Sequence, residues 1–375
     1  MDLTFTAEEE SFRAEARTWL EANVPKDPPS GDTREGFAVL REWERLLFDN
    51  RWAVVSWPEA YGGREATLIE WLIFEEEYYR AGGPQRITQN GIFLLAPTVF
   101  EFGTKEQQDR ILPAMASGAE TWCQGWSEPN AGSDLAGIKS VAVRDEDAGG
   151  WRLTGQKTWT TRGAFCDRMF GLFRTDPDAE RHRGMTYFLV DLTAEGCTVR
   201  GMGRLDGDEG FAEVFLEDVF VPDSDVLGDV NAGWSVAMAT TGSERGLTLR
   251  SPGRFMATAD RVTELYAARP DARLRDDVVQ GWMDAQAYRW QTFWTVTKLI
   301  EGGKTGPESS LTKLFWSELD VRLHQAALAL LGPDAEIDGP WMKGFQFALA
   351  GPIYAGTNEI QRNVVGERVL GLPRK

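Results

Sequence analysis

A chain of 375 residues, 42% of them apolar, is long enough to bury roughly three quarters of its unfolded surface in two or three packed domains. Its 58 acidic residues against 40 basic ones give a formal charge of -18, and no block of Lys and Arg stands out, which excludes a nucleic-acid surface. The chain opens without a basic segment leading into an apolar run, and no apolar stretch approaches the roughly 18 residues that span a bilayer, so the expectation is a cytoplasmic protein.

Residues 1–120 read as helical. Thr6 and Glu9 form a T-x-x-E capping box, after which Phe12, Ala16, Trp19 and Leu20 recur at helical spacing. A further helix is predicted over 68–81, stopped by Gly82-Gly83-Pro84, and Asp109 to Pro113 close the region. From 121 to 230 the character changes. The runs 151–154, 168–173, 185–190 and 211–220 are rich in aromatic and β-branched residues and bounded by Gly, Asp and Pro, which predicts a small antiparallel barrel or sandwich. From 231 to 375 the helical period returns. It is clearest in Leu311, Leu314, Phe315, Leu319, Leu323, Ala326, Ala327 and Leu330, a long bundle helix stopped by Gly332-Pro333, while 302–307 reads as an interhelical loop. Helices, then a β insert, then helices is an α+β arrangement. Cys123, Cys166 and Cys197 are odd in number and widely spaced, as small core residues in a reducing compartment would be. His182 and His324 have no metal-ligand spacing around them, and no G-x-G-x-x-G follows a strand.

Several motifs carry the chemistry. Tyr61-Gly62-Gly63, Phe102-Gly103-Thr104 with Gln107, Ser127-Glu128-Pro129-Asn130-Ala131-Gly132-Ser133-Asp134 and Gly155-Gln156-Lys157-Thr158-Trp159-Thr160-Thr161 occur in that order. They are followed by Asp218-Val219-Phe220-Val221-Pro222, Gly233-Trp234 and Gly356-Thr357-Asn358-Glu359-Ile360-Gln361-Arg362. Together these blocks resemble the acyl-CoA dehydrogenase family over almost the whole chain. The resemblance implies an N-terminal helical domain, a middle antiparallel β-barrel domain and a C-terminal four-helix bundle. Trp122 to Ser127 and the ending Glu367 to Arg374 are similar to actinobacterial members, including subunits of steroid and branched acyl degradation.

Such enzymes remove an α-proton from an acyl thioester and pass a hydride from the β-carbon to FAD. The nascent negative charge on the thioester oxygen needs hydrogen-bond donors. By resemblance one of them is the backbone N–H before Gly-Thr, here that of Ala355, a position where many members carry the catalytic glutamate. An alanine cannot take a proton. Thr241-Gly242-Ser243-Glu244-Arg245 matches the position where other members place a Glu-Arg pair, so Glu244 is the candidate base. Arg245 either orients it or forms a plain salt bridge. Read from residues alone, Glu244 is a solvated helix carboxylate pairing with a neighbour, as most helix glutamates are.

For the flavin the resemblance points to Gln124, Trp126, Ser127 and Ser133 along the ring and pyrophosphate, with Ser133 also near the thioester, and to Trp159 and Thr161 covering the ring. Gly356, Thr357 and Glu359 supply contacts at the last helix, with Thr357 as its cap. Arg275 is the candidate for the pyrophosphate, and the loop at Gly332 for contacts across a subunit boundary, although Pro333-Asp334 departs from the family's usual Gly-Asn. Two assemblies fit: a self-sufficient dehydrogenase acting on a bulky or branched acyl-CoA, or a half-site subunit completed by an unlike chain. In both, the resemblance implies a homo- or heterotetramer that passes electrons to electron-transfer flavoprotein.

Overall fold

The computed structural model describes residues 4–245, 251–337 and 339–373, with the backbone alone at 243–245. Among these the chain runs through α1 (Ala7–Asn23), α2 (Arg34–Asp49), α3 (Leu68–Arg80), α4 (Ala96–Phe102) and α5 (Lys105–Ala116). Strands follow as β1 (Trp122–Gly125), β2 (Val141–Asp145), β3 (Gly150–Thr161), β4 (Arg168–Arg174), β5 (Met185–Asp191), β6 (Cys197–Met202), β7 (Phe211–Pro222) and β8 (Val226–Leu227). The rest is helical: α6 (Gly233–Arg245), α7 (Pro252–Ala268), α8 (Arg275–Ile300), α9 (Ser309–Leu331), α10 (Pro340–Ala348) and α11 (Asn358–Val364).

Local chemistry sets the helix ends. The predicted box at Thr6 forms, with the Glu9 amide donating to Thr6 Oγ1 at 3.1 Å and the Thr6 amide to Glu9 Oε2 at 2.8 Å. Thr67 with Glu70 and Thr104 with Gln107 repeat it at α3 and α5. The predicted stop after α3 closes as a Schellman motif: Gly82, at φ +83°, donates to Tyr79 O, and Gly83 to Tyr78 O. The long bundle helix expected from Leu311 to Leu330 is α9, ended by Gly332 at φ +59°.

The chain forms two compact units. One holds residues 27–65 and 85–244. Its sheet has the order β6-β7-β3-β2-β4-β5-β8, with β1 also on β4. Most pairings are antiparallel, but β4 takes β1 and β2 in parallel. Met169 to Phe173 and Met185 to Val190 are buried without alternation, because both faces of β4 and β5 are covered. The core gathers Trp151, Leu153, Phe173, Phe188, Val190, Val214 and Leu216 around Cys123, with Cys166 and Cys197 packed against it. Helix α6 is tied to this unit through Thr240, whose hydroxyl lies 2.8 Å from that of Thr98 on α4 and 3.3 Å from the Tyr187 phenol on β5.

The other unit holds residues 1–26, 66–84 and 245–375. Here α1 and α3 join the C-terminal helices. Gly253 on α7 makes this possible, since a Cβ there would lie 2.6 Å from the Glu75 carbonyl oxygen of α3. Phe255, Val262, Val278, Tyr288, Trp316, Leu319, Leu323 and Leu330 form its core. No helix among the described residues is long and apolar enough to cross a membrane.

Candidate active site

In the first unit the candidate flavin residues converge on the ends of β1 and β3. After β1 the chain turns back on itself, with Glu128 and Ala131 exchanging both backbone hydrogen bonds at 2.8 and 3.0 Å. The turn is fastened to β3 by Thr158 N–H donating to Ser127 O at 2.9 Å. Beneath it, Lys157 is fully buried and its Nζ donates to Glu128 Oε1 and Leu172 O, both at 2.8 Å. The Glu128 carboxylate also accepts the amides of Lys139 at 2.6 Å and Ser140 at 3.0 Å. Burial pushes the Glu128 carboxyl up, but the Lys157 ammonium and these donors outweigh it and hold it below the usual range. Burial also lowers Lys157, opposed by Glu128.

The β3–β7 register slips between Lys157 and Thr160, where Thr158 and Trp159 bulge. Trp159 stands at φ +59° with 58% of its surface exposed, its ring edge-on to Phe211 at 5.8 Å. Thr161, half-buried, ends β3 opposite Phe211. Gln124 Nε2 and Trp126 Nε1 are buried without a hydrogen-bond partner among the described residues, and so is Trp122 Nε1. Ser127 is half-buried and Ser133 exposed. The unpaired buried donors of Gln124 and Trp126 and the flat exposed indole of Trp159 fit the polar edge and the face of a flavin ring.

In the second unit, residues 350–362 build a hydrogen-bonded turn that leads into α11. Ala355 and Gly356 both adopt left-handed backbone, at φ +57° and +79°. The fully buried Gln361 donates from Nε2 to Ala355 O at 3.1 Å and Gly356 O at 3.4 Å. Asn358 N–H donates to Pro352 O at 2.8 Å, and its side-chain oxygen accepts from Lys313 Nζ at 2.7 Å and Ser317 Oγ at 3.1 Å. Thr357 caps α11 by accepting the Ile360 amide at 3.2 Å. The backbone N–H groups of Ala355 and Gly356 have no acceptor among the described residues.

Glu359 is exposed beside Arg362 at 3.9 Å. Arg275 is exposed at the first residue of α8, away from these groups in sequence and without an ion pair among the described residues. Gly332 is exposed, and the turn after it is tied to its own chain, Arg269 donating to Asp334 Oδ2 at 2.7 Å. Glu244 and Arg245 lie on the last turn of α6, but their side chains fall outside the described residues. The sequence motifs contain three further residues, Glu128, Lys157 and Gln361, whose part in the site the fold reveals.

Residues 6–119, 123–219 and 231–370 match the N-terminal, middle and C-terminal domains of acyl-CoA dehydrogenases. Over 393 aligned positions the chain is 36% identical to acyl-CoA dehydrogenase IpdE1 of Mycolicibacterium smegmatis, covering 98% of this chain and 99% of that one. Among solved structures, the steroid ACAD Tcur3481-Tcur3483 superimposes with a TM-score of 0.89 at 26% identity, covering 100% of each chain. The ChsE4-ChsE5 complex from Mycobacterium tuberculosis gives 0.85 at 27%, again covering 100% of both. The chain therefore belongs to the acyl-CoA dehydrogenase family, the FAD-dependent oxidoreductases that act on CH–CH donors.

Proposed function

We propose that this chain carries out α,β-dehydrogenation of a bulky or branched acyl-CoA thioester, with Glu244 as the base. The observation that carries the reading is at Ala355. Its N–H points from a left-handed turn with no acceptor among the described residues, while its side chain is a methyl group. That arrangement keeps a donor for the thioester oxygen and dispenses with a carboxylate at the same place. A hydrogen bond from this N–H stabilises the charge that develops on the oxygen as the α-proton leaves.

The proton then has to go to a carboxylate from another element. Glu244, at the end of α6, is the group assigned, with Arg245 beside it to orient or neutralise it. Moving the carboxylate from one wall to another alters the room around the α- and β-carbons, and this favours bulkier acyl groups. FAD supplies the hydride acceptor. Gln124 and Trp126 would hold the ring edge, Trp159 and Thr161 its face, Ser127 and Ser133 the phosphate side, and Gly356, Thr357 and Glu359 a further portion. Arg275 and Gly332 are assigned to the pyrophosphate and to a neighbouring subunit's flavin. Electron-transfer flavoprotein is the proposed acceptor, in the cytoplasm.

A second reading makes the chain a half-site subunit of a heteromeric tetramer. It is favoured by the same methyl group at 355, by Asp334 being held within its own chain by Arg269, and by the two-chain names of the similar steroid ACAD and ChsE4-ChsE5 structures. Anaerobic titration of flavin-loaded protein with a panel of acyl-CoAs, beside Glu244→Gln, separates the two. Bleaching of the flavin band that vanishes in the variant, with FAD still bound, supports Glu244. Bleaching only after an unlike subunit is added moves the assignment to the heteromer.

A further inference from the structure

The short stretch of β3 that carries Trp159 and Thr161 is unusual in its backbone and in what flanks it. Trp159 and Arg162 both have left-handed φ, +59° and +55°, a conformation that L side chains avoid and that persists only where surrounding contacts over-determine it. The strand bulges between Lys157 and Thr160. Immediately before the bulge lies Lys157, fully buried and paired with Glu128 at 2.8 Å. Immediately after Thr161 lies Arg162, 3% exposed, whose Nε donates to Asp32 Oδ1 at 2.6 Å and NH1 to Arg86 O at 3.0 Å. Arg204 holds the other Asp32 oxygen at 2.6 Å. Between the two pairs, Thr160 Oγ1 donates to Ala212 O at 2.8 Å and the Arg162 amide to Gly210 O at 2.9 Å.

Buried ion pairs are poor sources of net stability, because desolvation offsets most of their attraction, and apolar residues of the same volume commonly serve as well or better. They are directional, however, and penalise any displacement that separates the partners. We propose that Lys157 with Glu128, and Arg162 with Asp32, act as positioning residues that hold the bulged segment between them so that Trp159 and Thr161 present a single face to the flavin. The inference rests on the assignment of Trp159 and Thr161 to the cofactor. The Lys157 pair also acts beyond β3, because Glu128 fixes the turn that carries Ser127 and, through the Lys139 and Ser140 amides, the far end of the same loop. One buried contact thereby sets the spacing of two cofactor-facing segments.

The test uses the full-length holoenzyme and two variants, Lys157→Met and the double Glu128→Gln/Lys157→Met, which removes both charges at nearly constant volume. The double variant is expected to keep the wild-type melting temperature within a few degrees. It should release FAD with a dissociation constant raised at least tenfold, alter the visible circular dichroism of the bound flavin, and exchange amide hydrogens faster across 157–163. Trp159→Phe should weaken FAD binding in the wild type and add little in the double variant. If Lys157→Met alone fails to fold, the double variant decides. A folded double variant with wild-type FAD affinity, flavin dichroism and exchange overturns the proposal and leaves the pair a structural contact. Should wild-type protein bind no FAD, the cofactor assignment fails by itself, and the exchange measurement on the apoprotein still reports on the clamp.

Discussion

Glu77 provides a test in which charge, burial and pH all bear on the same contact. On α3 its carboxylate is 2% exposed and accepts Arg13 NH1 at 3.1 Å, Arg17 Nε and NH2 both at 2.9 Å, and Arg80 Nε at 2.8 Å. Burial alone would push the carboxyl up. The three guanidinium groups outweigh it and hold it at about 2, against an ordinary value of 4.5. A difference of that size corresponds to about 3 kcal/mol at neutral pH. Arg17 and Arg80 are 46% exposed, so solvent screening reduces the expected effect to about 2 kcal/mol. Because the folded value is depressed, the contribution is complete above about pH 4.5 and is lost as pH falls toward 2. Glu77→Gln should therefore lower unfolding stability by about 2 kcal/mol at pH 7, and by roughly half that near pH 3. Denaturant unfolding of both proteins at the two pH values, followed by circular dichroism, reads the effect. A gap below about 0.5 kcal/mol at pH 7, the level of an ordinary exposed pair, would refute the reasoning, as would a gap that does not shrink on acidification.

Two further predictions concern the 355 turn. Gln361→Leu removes the donor to Ala355 O and Gly356 O while keeping the side-chain volume, so kcat should fall roughly 5- to 10-fold, the worth of about one hydrogen bond, with KM nearly unchanged. An equal rise in KM with kcat intact would show that the turn serves substrate binding instead. Thr357→Ala removes the cap on α11 and should cost about 1 kcal/mol, seen as faster amide exchange at Ile360 and the residues after it. Unchanged exchange there would mean that the turn is held from elsewhere.

The parts of the fold written in local chemistry were legible: the Thr6 box, the Gly82-Gly83 stop and the apolar stripe of α9 need only residues near in sequence. What was not legible depends on distant partners. The parallel pairing of β4 with β1 and β2, and the grouping of α1 and α3 with the C-terminal helices, are set by packing between segments far apart in the chain. The π-helical turn over Asn90–Leu95 has no short-range signature. Lys157 is different, because its signal was present. Trp151, Leu153 and Lys157 share one face of β3 at period two, and the first two lie in the core. A lysine on a core-facing position requires an acid partner, and Glu128 in the preceding motif was available.

The turn at 355 keeps its shape without a glutamate side chain at that position. The hydrogen bonds that hold the turn come from other residues, among them Gln361 to two carbonyls, the Asn358 amide to Pro352 O, and Lys313 and Ser317 to the Asn358 side chain. None of them involves the side chain at 355. The left-handed backbone that aims the Ala355 N–H costs about 1–2 kcal/mol for a residue other than glycine, and the surrounding hydrogen bonds offset that whichever side chain is present. Oxyanion stabilisation and proton removal are then separable functions. In the proposed mechanism the first belongs to a backbone group that survives substitution, and the second to whichever carboxylate reaches the α-carbon. A base on α6 leaves the donor in place, and so would a base supplied by an unlike subunit. Loss of bleaching in Glu244→Gln with FAD retained, and without any second chain present, distinguishes the first arrangement from the second.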